Sequence, residues 1–282
     1  MNSANKVLKQ IKKRTNTIGI ELTTYCPLSC KYCVRHMLER KNRELKWDDF
    51  LIIKDKISGF DRVVICGMGE PMVYSHIYDV LAELKDKKII IITSGTVLID
   101  FDRLNANKNV EVVVFSVDEP TEAGMREIAG NYNWSNLLSN LNNARRVARI
   151  INCTVTQDNY RNIPELARFA VKYRVNAISY TLDIRRSEST IFENINKLLA
   201  EAEETARKGR LVFTDSFTHL KCMGWGNVVP YLNLDGELFP CCQGVNRQLS
   251  IGNIFSQNYD EIWESEGYRK LDRKSTRLNS SH

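Results

Sequence analysis

Six short segments rich in β-branched residues recur along the chain: TIGIELT (17 to 23), RVVICG (62 to 67), KIIIIT (88 to 93), EVVVFSV (111 to 117), ARIINCTV (148 to 155) and NAISYTL (176 to 182). Between them lie stretches in which apolar residues return every three or four positions, clearest in KWDDFLIIKDKI (46 to 57), HIYDVLAELKD (76 to 86), NWSNLLSNLNNARRV (133 to 147) and IPELARFAVKY (163 to 173). Strands that alternate with helices and are apolar almost throughout predict parallel strands joined by helical crossovers and buried on both faces. The expected class is α/β, with six strands and not the eight of a closed TIM barrel. At 282 residues and 43% apolar, the chain is long enough to bury such a core.

After the sixth segment, FENINKLLAEAEETARKG (192 to 209) reads as a charged amphipathic helix, and from about Leu211 the pattern changes to short extended pieces. In VVPYLNLDGELFPCC, Asp235-Gly236 predicts a two-residue hairpin turn between alternating strands. The expected organisation is a main α/β domain over 1–210, a small β-hairpin and α extension over 211–271, and a non-native or disordered tail over 272–282. That tail, DRKSTRLNSSH, has the character of a cloning scar. The basic start of the chain has no apolar core, and nowhere do eighteen apolar residues run together, so neither a signal peptide nor a membrane partner is expected and the cytoplasm is the expected location. The net charge of +6 is carried by the two ends, including Lys6, Lys9, Lys12, Lys13 and Arg14. The body is close to neutral, and no nucleic-acid partner is expected.

Eight cysteines in a chain of this size and compartment point to metal binding and away from a disulfide framework. Three of them, Cys26, Cys30 and Cys33, form a C-x3-C-x2-C array in TTYCPLSCKYC. Structural zinc takes four ligands, with cysteines in C-x2-C pairs, and ferredoxin runs supply a fourth cysteine. An iron-sulfur cubane held by three thiolates keeps one iron open to a small molecule.

CPLSCKYC, with an aromatic residue before its third cysteine and a strand before its first, resembles the signature of the radical S-adenosylmethionine (radical SAM) superfamily. The resemblance covers roughly residues 15 to 185 and implies a partial (β/α)6 TIM-type barrel. It further implies a 4Fe-4S cluster on Cys26, Cys30 and Cys33, with S-adenosylmethionine chelated at the open iron and cleaved by one electron from a flavodoxin- or ferredoxin-like donor. The resulting 5'-deoxyadenosyl radical abstracts hydrogen from a substrate. CGMGEPM resembles the family's Gly-Gly-Glu-Pro pattern, with Met68 between the glycines, and implies that Gly67, Gly69 and Glu70 receive the cofactor's ammonium group. Thr93 and Ser94 stand where the family often has Thr-Asn-Gly, Ser116 and Asp118 where it often has Ser-x-Asp, and all four are implied cofactor contacts, with Tyr32 along the adenine. Cys66 and Cys153 lie inside apolar segments and read as core, while Asp183 and Asp215 are carboxylates more suited to solvation or capping than to acid-base work.

Cys222, Cys241 and Cys242, with the hairpin between, resemble the opening of a SPASM or twitch extension, which implies an auxiliary iron-sulfur cluster. The downstream C-x2-C expected there is missing, so either the natural protein continues or the auxiliary cluster is incomplete or absent. Three readings follow: a radical SAM enzyme on a peptide or protein side chain, a twitch-type enzyme on a small molecule, and a noncatalytic iron-sulfur carrier or sensor. With only about sixteen residues before the first strand, no separate leader-peptide domain is expected.

Overall fold

A computed structural model of the chain describes residues 16–183, 192–216, 229–240 and 250–266. In chain order its strands and α-helices are β1 (Thr17–Ile20), α1 (Trp47–Lys56), β2 (Arg62–Ile65), α2 (Ile77–Glu83), β3 (Lys88–Thr93), α3 (Phe101–Asn105), β4 (Val110–Ser116), α4 (Glu122–Ala129) and α5 (Trp134–Asn143). These are followed by β5 (Ala148–Val155), α6 (Ile163–Lys172), β6 (Ala177–Leu182), α7 (Ile195–Lys208), β7 (Val212–Asp215), β8 (Tyr231–Leu232), β9 (Glu237–Phe239), β10 (Gly252–Asn253) and α8 (Tyr259–Glu264). All six expected strands are present. The described residues fall into two compact units, one drawn from Met1–Tyr25, Val34–Ile89 and Cys222–His282, the other from Cys26–Cys33 and Ile90–Lys221.

In the first unit the strands run in the order β10-β9-β8-β1-β2. β1 is parallel to both neighbours, pairing Ile20 with Ile65 and with Leu232. All four of its residues are buried, as a central strand covered on both faces requires. β9 is antiparallel to both of its neighbours, β8 and β10. The Asp235-Gly236 turn differs from the two-residue expectation. Leu232 pairs with Leu238, the Gly236 N–H donates to the Asn233 carbonyl at 3.0 Å, and Gly236 has φ of 75°. This is a type I turn closed by a left-handed glycine. Asn233 selects it, because its side-chain oxygen accepts from the amides of both Asp235 and Glu237, at 3.0 and 2.9 Å.

The second unit carries the order β3-β4-β5-β6-β7, and β4 through β7 are parallel. β7 is a seventh parallel strand that the β-branched pattern does not single out, because VFTD is four residues long with two exposed positions. In β5, buried Ile151, Cys153 and Val155 alternate with half-buried Ile150, Asn152 and Thr154. One face of the strand is therefore buried, and the other turns Asn152 and Thr154 to a less covered side. α6 buries Ile163, Leu166, Ala167, Phe169 and Ala170 along one stripe and packs against α7.

Candidate active site

The cysteine array is a loop of the second unit. The Ser29 and Lys31 amides donate to the Ala129 and Ile128 carbonyls at 3.1 and 2.9 Å. The loop thereby satisfies carbonyls that the end of α4 would otherwise leave open. α4 starts at Thr121, whose hydroxyl accepts from the Gly124 amide, and stops at Gly130 with φ of 77°. A side chain at 130 would also collide with the Ser29 hydroxyl, 2.8 Å from a built Cβ. Within the loop the Cys33 amide turns back onto the Cys30 carbonyl at 3.0 Å.

Cys26, Cys30 and Cys33 are all half-buried, and none is in a disulfide. The Cys30 thiol is pushed up to about 12, first by burial and then by the negative fields of Asp118, Cys33 and Cys26. Three thiolates cannot coexist there without a cationic centre to offset burial and mutual repulsion, and that is the demand a cluster meets. Among the described residues no group of three His, Cys, Asp or Glu side chains is gathered so as to hold a single metal ion.

Tyr32, between the second and third cysteines, donates its hydroxyl to Asp118 Oδ2 at 2.5 Å, while Asp118 Oδ1 accepts from the Thr154 amide at 2.7 Å. Asp118 is buried and its carboxyl is raised to about 6, chiefly by burial, with the Tyr32 and Thr154 hydrogen bonds pulling it back down. Both oxygens of Asp118 thus have internal donors, and the Tyr32 phenol is engaged as well. The sequence pattern suggests both as cofactor contacts; the geometry makes them first a brace between the cysteine loop and the segment after β4.

The other strand-end residues of this unit also have local work. Thr93 is buried, and its hydroxyl accepts from the Gly95 amide at 3.0 Å. The Ser94 hydroxyl accepts from the Thr96 amide at 3.3 Å, and the Ser94 carbonyl accepts from the Tyr132 hydroxyl at 2.5 Å. Ser116 is half-buried at the end of β4, in register with Asn152 of β5.

Gly67, Gly69 and Glu70 belong to the first unit. Gly67 has φ of 144°, and a Cβ there would fall 2.7 Å from Glu21 Cγ. At Gly69 a Cβ would fall 2.4 Å from the Thr23 carbonyl oxygen and 2.5 Å from that of Tyr25. The glycines are therefore required for the loop to lie against the strand end that leads into Cys26. The Glu70 amide donates to the Tyr25 carbonyl at 2.9 Å, and its buried carboxylate accepts from the Met72 amide at 3.1 Å, capping the 3₁₀ turn Pro71–Val73.

Two residues that no motif singles out stand behind this loop: Glu21, whose carboxylate accepts from the Met68 amide at 3.1 Å, and Arg40, which pairs with Glu21 at 2.9 Å. The sequence signal for Glu21 is a charged residue directly after an apolar strand; Arg40 has no such signal. Cys66 is half-buried and Cys153 buried. Cys222, Cys241 and Cys242 lie outside the described residues.

Comparison with known proteins decides the family. The model of the radical SAM superfamily matches residues 20–170 of the chain, more than half of its length. The chain belongs to the radical SAM superfamily. The SPASM model, an iron-sulfur cluster-binding domain, matches residues 222–281. This radical SAM enzyme is 24% identical to the tungsten-containing aldehyde ferredoxin oxidoreductase cofactor-modifying protein of Pyrococcus furiosus, over 88% of this chain and 81% of that one. It is 25% identical to a PqqA peptide cyclase of Gluconobacter oxydans, over 86% of this chain and 75% of that one. Among solved structures, Streptococcus suis SuiB bound to precursor peptide SuiA superposes with a TM-score of 0.72 at 17% identity, over 93% of this chain and 68% of SuiB. The radical SAM chain thus has the α/β fold of that enzyme. Its family works with a 4Fe-4S cluster and S-adenosylmethionine, and SPASM domains bind auxiliary iron-sulfur clusters. No helix of the described residues is long and apolar enough to cross a membrane.

Proposed function

We propose that this radical SAM enzyme takes hydrogen from a side chain of a peptide substrate, with Cys26, Cys30 and Cys33 as the ligands of the catalytic cluster. When bound, the cluster and S-adenosylmethionine together supply the 5'-deoxyadenosyl radical that abstracts the hydrogen. The chain's own part is to bind, orient and exclude solvent. Gly67, Gly69 and Glu70, with Thr93, Ser94, Ser116 and Asp118, take the cofactor by their motif positions, and Tyr32 holds the cysteine loop against Asp118. Cys222, Cys241 and Cys242 are assigned to an auxiliary cluster in the module that starts near residue 211. A flavodoxin- or ferredoxin-like donor in the cytoplasm supplies the electron.

The observation that carries the reading is the loop itself: three cysteines outside any disulfide on a segment pinned to the end of α4, in surroundings that raise the Cys30 thiol to about 12. A peptide substrate is supported by relatives named for peptide cyclisation and for a bound precursor peptide. The Pyrococcus furiosus relative is named for modifying a cofactor, so the test needs a small-molecule arm.

Anaerobically reconstituted full-length chain, given dithionite and S-adenosylmethionine, is expected to form 5'-deoxyadenosine. Cys26→Ala is expected to lose the iron and brown absorbance of the catalytic cluster together with all cleavage, because two thiolates do not hold a cubane. Cleavage at the normal rate in that variant overturns the ligand assignment. Short peptides encoded beside the gene should accelerate 5'-deoxyadenosine formation and emerge with altered mass; acceleration by small alcohols or sugars alone refutes the peptide reading.

A further inference from the structure

Glu21 follows β1 and is 1% exposed, a position in which a carboxylate is costly unless it is paired and hydrogen-bonded. It has partners from three stretches of the first unit. Arg40 Nη2 donates to Oε2 at 2.9 Å, the Met68 amide donates to Oε1 at 3.1 Å, and the Leu234 amide after β8 is near enough to help draw the carboxyl down. Burial pushes the Glu21 carboxyl up, and Arg40 is the strongest influence drawing it back. Its backbone amide donates to the Leu232 carbonyl at 2.9 Å, and the first glycine of the Gly67–Glu70 loop rests directly on its Cγ. One side chain therefore supports the glycine loop from beneath while being held from the C-terminal hairpin.

Arg40 extends the connection. Its side chain is 10% exposed, and its carbonyl accepts from the buried Thr24 hydroxyl at 2.8 Å, which fixes the backbone. Its Nε lies 3.9 Å from Asp235 Oδ2 in the turn between β8 and β9, an ion pair too long for a hydrogen bond. Asp235 is in turn fixed by Arg43 Nη2 at 2.7 Å. Four charges thus alternate in sign from the hairpin turn to the loop: Arg43, Asp235, Arg40 and Glu21.

We propose that Asp235 and Arg40 are positioning residues which act through Glu21 on the Gly67–Glu70 loop, so that the hairpin of the C-terminal module sets how tightly the enzyme binds S-adenosylmethionine. The inference rests on the reading that this loop receives the cofactor. It adds that the loop is held in its binding form by a module assigned to an auxiliary cluster, through charge rather than through that cluster.

The test uses anaerobically reconstituted full-length chain, titrated calorimetrically with S-adenosylmethionine in the absence of reductant. Asp235→Asn is expected to weaken binding by about fivefold, within the range for residues that couple sites without touching the ligand. Asp235→Glu, which keeps the charge, should restore affinity to near that of the wild type. In the same preparations, hydrogen exchange of the 66–72 segment should be faster in Asp235→Asn than in the wild type or Asp235→Glu. Arg43→Gln, at a half-exposed side chain, gives the same reading if Asp235→Asn does not fold. Unchanged affinity in Asp235→Asn alongside a clear loss in Gly69→Ala overturns the coupling and leaves the loop assignment standing. Unchanged affinity in Gly69→Ala overturns the loop assignment, and the inference falls with it.

Discussion

At the scale of single residues, one side-chain hydrogen bond joins the cysteine loop to the segment after β4. Tyr32 reaches Asp118 in surroundings that raise the carboxyl to about 6 by burial, against about 3.9 in an unfolded chain. Because the folded pKa is raised, the folded chain holds the Asp118 proton more tightly than the unfolded chain. The favourable contribution is present in full below about pH 4 and is lost as the pH rises through about 6, an effect on the order of 2 to 3 kcal/mol. Urea midpoints of the cluster-free chain are therefore expected to fall between those pH values, and Asp118→Asn should flatten that fall. Equal slopes in the two proteins would refute the assignment. Tyr32→Phe removes a donor to the carboxylate, so its midpoints should keep falling to higher pH than those of the wild type. The C-x3-C-x2-C spacing makes this loop legible in the sequence as a metal site. The Tyr32 to Asp118 pair is not legible in the same way, since 86 residues separate its partners and only the fold brings them together.

At the scale of elements, the β-branched runs and the helical spacing are good guides where tertiary packing agrees with them. β3, expected over 88 to 93, is Lys88–Thr93, and the stretch expected as a helix over 163 to 173 is α6, Ile163–Lys172. The errors have local causes. The helix expected over 133 to 147 ends as α5 at Asn143, because the Arg145 amide turns back onto the Asn143 carbonyl and the chain leaves for β5. α4 escapes notice because TEAGMREIAG carries two glycines, although Thr121 and Gly130 are ordinary helix start and stop signals. α5 also carries a residue whose importance only the structure reveals. Asn140 is fully buried; its amide donates to the Gly95 and Val97 carbonyls at 3.0 and 2.8 Å, and its oxygen accepts from the Ile99 amide at 3.0 Å. It pins the loop that begins with Thr93 and Ser94. Asn140→Ala leaves these three buried backbone groups without that partner and is expected to cost about 3 kcal/mol in chemical unfolding, with faster hydrogen exchange over residues 95 to 99. Asn140→Asp should not rescue it, because a carboxylate has no donor for the two carbonyls.

At the scale of the whole molecule, neither unit is a continuous stretch of chain. The eight residues from Cys26 to Cys33 belong to the second unit, while the chain on either side of them belongs to the first. Hydrophobic periodicity divides a sequence into consecutive blocks, which is why a boundary near residue 210 is what the sequence suggests and why an excursion of eight residues is invisible to it. The excursion has an energetic reason within the second unit, since the loop's amides take up the Ile128 and Ala129 carbonyls at the end of α4. A contiguous fragment of residues 90 to 216 would keep β4 through β7 and their helices but lose those two hydrogen bonds, together with the Tyr32 donor to Asp118. Each such loss is worth about 1 kcal/mol, and somewhat more where the acceptor is charged. We therefore expect the fragment to exchange the amides in the last turn of α4 markedly faster than the full chain does. A synthetic peptide of residues 24 to 35 added in trans should slow that exchange, and Tyr32→Phe in the peptide should weaken the effect. If the last turn of α4 is equally protected with and without the loop, then the array is only resting on the helix, and the fold does not set the cysteines' arrangement.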